Sequence, residues 1–494
     1  MQVRVLPGAP TYFMFWANFL HFYQPPTQKK YWVDRVTDES YRRLIDGWLK
    51  NPNIRLTLNV NACLYELWEK YGHSDVIEGL KKLLDKDQLE FTSSAKFHPL
   101  LPKLPNEEIV RQIELNNQTC RRYLGNSYQP KGFFPPEMAY EKRIAQIAAD
   151  MGFEWIIGEE LSYRYEPGAV KYDRLYSVKD VSRNGQPLLM FFRERNFSFK
   201  ILSGQLGTAN LFANELGNRL MDGSYLLTAM DGETFGHHRP GMEKQLVELY
   251  QTSGVQAVTI SQLAQHVTNI EETDTLPATW ALMEKDLTKN IPFARWEDPD
   301  NVIHRYQWEL TDLAVKTVQN SKFKIQNEKT LNFTLSTLNS DRGEENLTKE
   351  QSQWLEARRL LDRALHSDQY WWASARPWWS LEMVERGARE LTGAVDMVPD
   401  VSEAIKKKAQ ELYFQIITTG FDWQRTGKVD ELCQKEDEEV RMRTDAGLPK
   451  LPAEELEKMI AHLRQEMLAV AGAQEYERAG QLRDRIKELE SYKK

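Results

Sequence analysis

Two acidic side chains close apolar runs in this sequence. Glu137 ends Gly132-Phe133-Phe134-Pro135-Pro136-Glu137, and Asp231 ends Tyr225-Leu226-Leu227-Thr228-Ala229-Met230-Asp231. Charged groups delivered by buried strands need partners or a use, because taking them out of water is strongly unfavourable. Asp231 also opens D-G-E-T-F-G-H-H, so Glu233, His237 and His238 follow it in one loop before Pro240-Gly241. Cleaving a glycosidic bond takes a carboxylic acid to protonate the leaving oxygen and a second carboxylate at the anomeric carbon. Glu137 and Asp231 are read as that pair, with Glu137 as nucleophile and Asp231 as acid/base. Asp231 can hold a proton near neutrality only if burial or the charge of Glu137 raises its pKa. Glycosylation of Glu137 would remove that charge and free Asp231 to activate water. Residue type alone leaves Glu233 as an alternative acid.

The elements that must position these groups alternate short apolar runs with amphipathic stretches, the sign of β/α units around a parallel sheet. Candidate strands are Tyr12–Leu20, Ile54–Val60, Leu89–Ser93, Gly132–Phe134, Phe153–Ile157, Leu188–Phe192, Tyr225–Met230 and Val255–Ile260. After them come His21, Asn61, His98, Glu137, Glu159 with Glu160, Arg193 and Asp231. Polar groups placed where successive strands finish converge at one rim of a closed barrel, where barrel enzymes build their sites. The competing reading is that loops are polar simply because they are exposed.

The length of 494 residues exceeds one ordinary core and suggests about three domains. A net charge of -8 argues against a nucleic-acid partner held through phosphates. Cys63, Cys120 and Cys433 lie far apart, which fits neither a disulfide framework nor a cysteine zinc site and suits a reducing compartment. The opening residues carry Pro7, Pro10 and Asn18 and read as a lead-in to a first strand, not a signal peptide. With no apolar run of membrane-spanning length, a cytoplasmic protein away from membranes is expected.

The expected division is a catalytic barrel over 1–275, a helical domain over 276–430, a charged linker over 431–452 and a helical hairpin over 453–494. The acid run Glu436-Asp437-Glu438-Glu439 reads as solvated and outside the chemistry. Within the helical domain, Ser367-Asp368-Gln369-Tyr370-Trp371-Trp372 and Trp378-Trp379 offer either core packing or aromatic faces for sugar rings, with Asp368 as a hydroxyl acceptor. In the tail, Leu456, Met459, Ile460, Leu463 and Met467 form one stripe, and Tyr476, Ala479, Leu482, Ile486 and Leu489 another. Such an αα-hairpin has little core of its own and must dock on this chain, on a second copy or on a partner.

Two other classes compete. A metal-dependent, deacetylase-like hydrolase would use His21, His98, Asp231, His237 and His238 around zinc, although the ligand spacing is poor for that ion and adjacent histidines on an extended segment diverge. A non-catalytic glycan-binding scaffold would have no need of two carboxyls. No metal or other cofactor is expected.

Five ordered stretches carry a resemblance: H-F-Y-Q-P-P (His21–Pro26), F-H-P-L-L-P (Phe97–Pro102), G-F-F-P-P-E-M-A-Y (Gly132–Tyr140), D-G-E-T-F-G-H-H (Asp231–His238) and S-D-Q-Y-W-W (Ser367–Trp372). Over roughly 10–420 the chain resembles glycoside hydrolase family 57. That family holds retaining α-glucan enzymes: α-amylases, amylopullulanases, glucanotransferases and branching enzymes, with a few α-galactosidases. The resemblance implies an α/β fold, an incomplete (β/α)7 barrel followed by a helical domain that closes the cleft. It places Glu137 at the nucleophile and Asp231 at the acid/base, and His21, His98, His237, Asp368 and Trp371 near sugar subsites. Gln24, Glu160 and Arg193 complete the substrate-binding candidates. Two departures bear on subsites and not on the carboxyls: Phe22 and Tyr23 interrupt a usually contiguous His-Gln-Pro, and Phe134 stands where tryptophan is common. The implied activity is α-amylase-like hydrolysis of α-glucans or maltooligosaccharides, with glucan transfer or branching as the alternative. The tail, Glu466–Leu489, resembles the UVR hairpin, a module for protein–protein contact.

Overall fold

A computed structural model of the chain describes residues 14–325, 347–435 and 451–492. The start of the first expected strand, and 436–450 of the expected linker with its acid run, lie outside the described residues.

The strands are β1 (Met14–Phe22), β2 (Leu56–Val60), β3 (Leu89–Phe91), β4 (Gly132–Phe133), β5 (Trp155–Glu159), β6 (Leu175–Arg183), β7 (Gln186–Arg193), β8 (Leu226–Asp231), β9 (Val255–Val258) and β10 (Ile270–Thr273). They form two sheets, one ordered β3-β2-β1-β8 with β9 also on β1, the other β10-β6-β7-β5-β4. The sheets meet at two seams. At one, Ser93 N donates to Gly132 O and Phe134 N to Ser93 O, both at 2.9 Å; at the other, Glu194 N donates to Leu227 O at 2.6 Å. Strands β1, β2, β3, β4, β5, β7 and β8 thus follow one another around an incomplete (β/α)7 barrel. Every residue of β2 and β5 is buried, as expected of parallel strands covered on both faces.

Two strands were not expected from the sequence. β6 runs antiparallel to β7 through a turn at Asn184-Gly185, whose φ values of 52° and 77° are those that a tight hairpin requires. β10 then pairs with β6. Both lie outside the ring of parallel strands.

The helices Val302–Gln319, Lys349–Ala364, Leu381–Met397 and Glu403–Thr426 follow the barrel. Their buried Leu310, Trp354, Leu391 and Leu412 continue the apolar core that contains Phe133, Ile157 and Phe191 of the barrel. Buried Arg358 joins the two regions, lying 2.6 Å from Glu108 of the barrel helix Asn106–Leu124 and 2.8 Å from Asp362. The tail forms two helices, Ala453–Gly472 and Tyr476–Ser491. Their buried Leu456, Met459, Leu463, Leu482 and Ile486 share a core with Phe197, Leu206 and Met242, so the hairpin docks on its own barrel.

Candidate active site

β4 is only two residues long and runs into Pro135-Pro136. Glu137 then takes a left-handed backbone conformation (φ 61°, ψ 14°), followed by Met138 at φ 47°. Side-chain-bearing residues rarely adopt this region, at a cost of about 1–3 kcal/mol each. The turn is over-determined by hydrogen bonds. Met138 N donates to Pro135 O at 2.8 Å, Ala139 N to Pro136 O at 2.9 Å and Trp280 N to Glu137 O at 3.2 Å. The Trp280 indole Nε1 also donates to Glu137 Oε2 at 2.8 Å. Glu137 keeps 19% of its side chain exposed, facing the cleft.

Strand register brings the second carboxyl to the same place. β8 pairs with β1 so that Asp231 lies opposite His21, and β1 pairs with β2 so that His21 lies opposite Asn59. The Asn59 amide donates to Thr92 Oγ1 at 3.1 Å, which turns its oxygen toward His21 Nδ1 at 2.8 Å. His21 therefore carries its proton on Nδ1 and accepts at Nε2, where His98 Nε2 donates across 3.1 Å. His98 Nδ1 then accepts from Ser367 Oγ at 3.0 Å and lies 3.7 Å from Glu137 Oε1. Burial lowers His21 to about 4, and burial with the neighbouring His21 and His366 lowers His98 well below the usual histidine value. Both rings are neutral near pH 7, as this one-directional chain of donors requires.

Burial pushes Glu137 up to about 8, and the charge of Asp231 adds to the effect while the Trp280 hydrogen bond opposes it. Burial likewise lifts Asp231 to about 7, with Glu233 adding and the cations His238 and Arg193 opposing. The two carboxyls thus share one desolvated space in which full ionisation of both is disfavoured.

The loop after Asp231 supplies the other charges. Gln24 Nε2 donates to Glu233 Oε2 at 2.6 Å, and His238 Nε2 lies 3.3 Å from Glu233 Oε1. Burial works against ionisation of Glu233, but the hydrogen bond and charge of His238 outweigh it and hold the carboxyl below its ordinary value. His238 keeps 55% of its side chain exposed, so solvent screens its pull. His237 Nδ1 lies 2.5 Å from Glu39 Oε2. The two adjacent histidines sit on a tight turn, with Arg239 N donating to Thr234 O, and not on the extended segment expected, so they do not diverge: their ring centroids lie 4.9 Å apart while they meet different acids.

From the helical region, Ser367 N donates to His98 O at 2.9 Å, which seats Asp368 over the barrel mouth. Tyr23 OH donates to Asp368 Oδ2 at 2.5 Å, and its ring stacks on His98 at 3.9 Å between centroids. His21, Gln24, His98 and Asp368 are therefore gathered around Glu137 and Asp231. The remaining candidates lie further out. Arg193 is buried against Glu159 at 2.5 Å and donates to Ala229 O and Trp280 O, each at 3.2 Å. Glu160 accepts from Gly168 N at 2.5 Å and Arg195 N at 3.0 Å, which ties down the loop after β5. Trp371 packs on Trp296, centroids 5.3 Å apart, with the Arg295 guanidinium 5.1 Å from its ring.

Trp280, Tyr23 and Ser367 did not stand out in the sequence as site residues. Trp280 is 143 positions from Glu137, at the start of a stretch read only as helical. Tyr23 looked like an interruption of a motif. Among the described residues, no group of three or more His, Cys, Asp or Glu could hold a metal ion.

An incomplete (β/α)7 barrel with two strand-end carboxyls in one desolvated cleft, capped by helices, defines the class of barrel glycosidases. The Glycosyl hydrolase family 57 model matches residues 8–278, more than half of the chain, and the protein belongs to that family. A second model, the UvrB/uvrC motif, matches 457–492. Over 172 residues the chain is 26% identical to Alpha-amylase 1 of Dictyoglomus thermophilum, covering 35% of this chain and 24% of the relative. Over 178 residues it is 21% identical to a 4-alpha-glucanotransferase of Thermococcus kodakarensis, covering 35% of this chain and 26% of the relative. The matched stretch thus spans about a quarter of these curated relatives. The crystal structure of a GH57-type branching enzyme from Pyrococcus horikoshii has the same fold, with a TM-score of 0.58 at 16% identity over 83% of this chain and 96% of that one.

Proposed function

We propose that the protein is a retaining glycosidase acting on α-glucans, most simply an α-amylase-like hydrolase, with Glu137 as nucleophile and Asp231 as acid/base. The observation that supports the reading is the convergence of the two carboxyls on one pair of histidines: Asp231 lies opposite His21 in the sheet, His21 meets His98 at 3.1 Å, and His98 lies 3.7 Å from Glu137. Relatives named alpha-amylase, 4-alpha-glucanotransferase and branching enzyme supply the substrate class.

In this reading one proton serves both groups. A bound glucan places its glycosidic oxygen against Asp231 and its anomeric carbon against Glu137. Positive charge developing at that carbon favours ionised Glu137, while the leaving oxygen takes the proton from Asp231. The Trp280 indole, already bonded to Glu137 Oε2, stabilises the carboxylate form. After the glycosyl ester forms, Glu137 no longer carries charge, and Asp231 deprotonates the incoming water. Asp368 presents its carboxylate to sugar hydroxyls, while the neutral His21–His98 pair, its ring nitrogens already bonded to Asn59, to each other and to Ser367, forms a fixed wall of the site.

If a sugar hydroxyl intercepts the ester instead of water, the same site performs glucan transfer or branching. The names of the relatives keep this reading in view. Buried thiols at Cys63 and Cys120 accord with a reducing, cytoplasmic setting, and no described helix is long and apolar enough to cross a membrane. Product analysis from maltoheptaose tests the proposal: shorter sugars alone mean hydrolysis, longer ones mean transfer, and new branch linkages mean branching. Glu137→Gln must abolish turnover while sparing binding; turnover indifferent to that change defeats the nucleophile assignment.

A further inference from the structure

The loop carrying Glu233, His237 and His238 is held from behind by the C-terminal hairpin. Arg478, on the helix Tyr476–Ser491, is 4% exposed and donates through Nη1 to Gly236 O at 3.3 Å and through Nη2 to Glu243 Oε1. The turn is closely enclosed. A Cβ at Gly236 (φ 111°) would lie 2.1 Å from Glu39 O, and one at Gly241 would lie 2.5 Å from Leu463 Cδ2 of the hairpin. Two hairpin acids reach the barrel helices beside the loop, Glu477 at 3.3 Å from Arg35 and Glu475 at 2.5 Å from Arg43. Arg35 pairs with Glu39 at 2.9 Å, and Glu39 holds His237. A buried ion pair contributes little stability over well-packed apolar groups. What this one adds is a fixed place for the Gly236 carbonyl.

We propose that the hairpin is a working part of the active site, with Arg478 as the positioning residue that holds the 234–239 turn and so keeps Glu233 and His238 in place around Asp231. The proposal rests on the reading of Asp231 as the proton donor. The ionisable groups around Asp231 are Glu233 and His238 from its own loop, Arg193 from β7, Glu137 after β4 and His21 from β1. Loosening the turn admits water and weakens both the repulsion from Glu233 and the smaller, opposing pull of His238, so the net effect is downward. Asp231 then moves back toward the ordinary carboxylic range.

The test uses the full chain with Arg478→Met and Glu243→Gln combined, which leaves no buried charge alone. Arg483→Ala, on the exposed side of the hairpin, serves as control. In the double variant, amides of 234–241 should exchange about tenfold faster while those of β8 stay protected. On maltoheptaose, kcat should fall about tenfold with KM within about twofold, because a small displacement at the reacting groups costs rate more than binding. The limb of the pH profile that Asp231 sets should move down by about half a pH unit. Arg478→Lys keeps a cation beside Glu243 but cannot serve both acceptors, and should lie between; it carries the same measurements if the double variant does not fold. Native exchange at the turn with a native pH profile in these variants overturns the proposal. If the unsubstituted protein does not turn over maltoheptaose, the functional reading fails by itself, and exchange at 234–241 still decides the role of Arg478.

Discussion

The indole Nε1 of Trp280 donates to Glu137 Oε2 at 2.8 Å, so the residue just beyond the barrel steadies the carboxylate at the end of β4. A hydrogen bond to a charged group contributes about 1.5–3 kcal/mol. Trp280→Phe keeps the ring and removes the donor. It should lower kcat/KM on maltoheptaose by about tenfold to a hundredfold and shift upward the limb of the pH profile that Glu137 sets, since ionised Glu137 loses its donor. A pH profile unchanged on both limbs would detach Trp280 from the ionisation of Glu137.

Stability should depend on pH through the same carboxyl. Glu137 titrates at about 8 in the folded chain against 4.5 as its ordinary value. Between those values the folded state holds a proton that the unfolded state has released, so this group makes stability fall as pH rises. Below 4.5 it makes no difference, and above about 8 its effect is complete. Each tenfold change in proton affinity between the two states corresponds to about 1.4 kcal/mol. Glu137→Gln should therefore raise the melting temperature at pH 8 more than at pH 4.5, measured as a difference between the two buffers. An equal change at both would contradict the raised value.

Glu233 tunes its neighbour. Its charge is the largest influence after burial in raising Asp231 to about 7. Glu233→Gln should keep the bond partner of Gln24 and move the limb of kcat/KM that Asp231 sets to lower pH, by about half a pH unit to one. If turnover is lost outright, Glu233 is itself the acid, the alternative that residue types left open.

Tyr23 links barrel to helical region through its 2.5 Å hydrogen bond to Asp368. Tyr23→Phe preserves the stack on His98 and frees Asp368 from the barrel. The expected result is a rise in KM of about threefold to tenfold with little change in kcat, the size of one ordinary hydrogen bond. A fall in kcat alone would place Tyr23 in the chemistry instead.

Much of the ring was legible because each parallel strand reads as an apolar run that stops at a polar residue, as in Leu226–Asp231. Strand pairing did the rest, setting Asp231 opposite His21 and His21 opposite Asn59. The hairpin β6–β7 was missed although Asn184-Gly185 marks it, since β6 mixes buried and exposed residues, unlike the wholly buried β2 and β5 of the ring. Position at a strand end did not separate groups that face the cleft from groups that hold the frame. Arg193 and Glu160 sit at the rim in sequence, yet their polar atoms meet Glu159 and the backbone. Trp280 and Ser367 reach the site only through tertiary contacts that no spacing encodes.

In the proposed reaction Glu137 forms a covalent bond to the sugar. Incubation with a fluorinated α-glucosyl fluoride that slows deglycosylation, followed by peptide mass spectrometry, tests it directly. The expected result is one glycosyl adduct on Glu137, within Gly132–Tyr140, and its loss in Glu137→Gln. An adduct on another carboxyl, or turnover with inverted anomeric configuration in the released sugar, would contradict it.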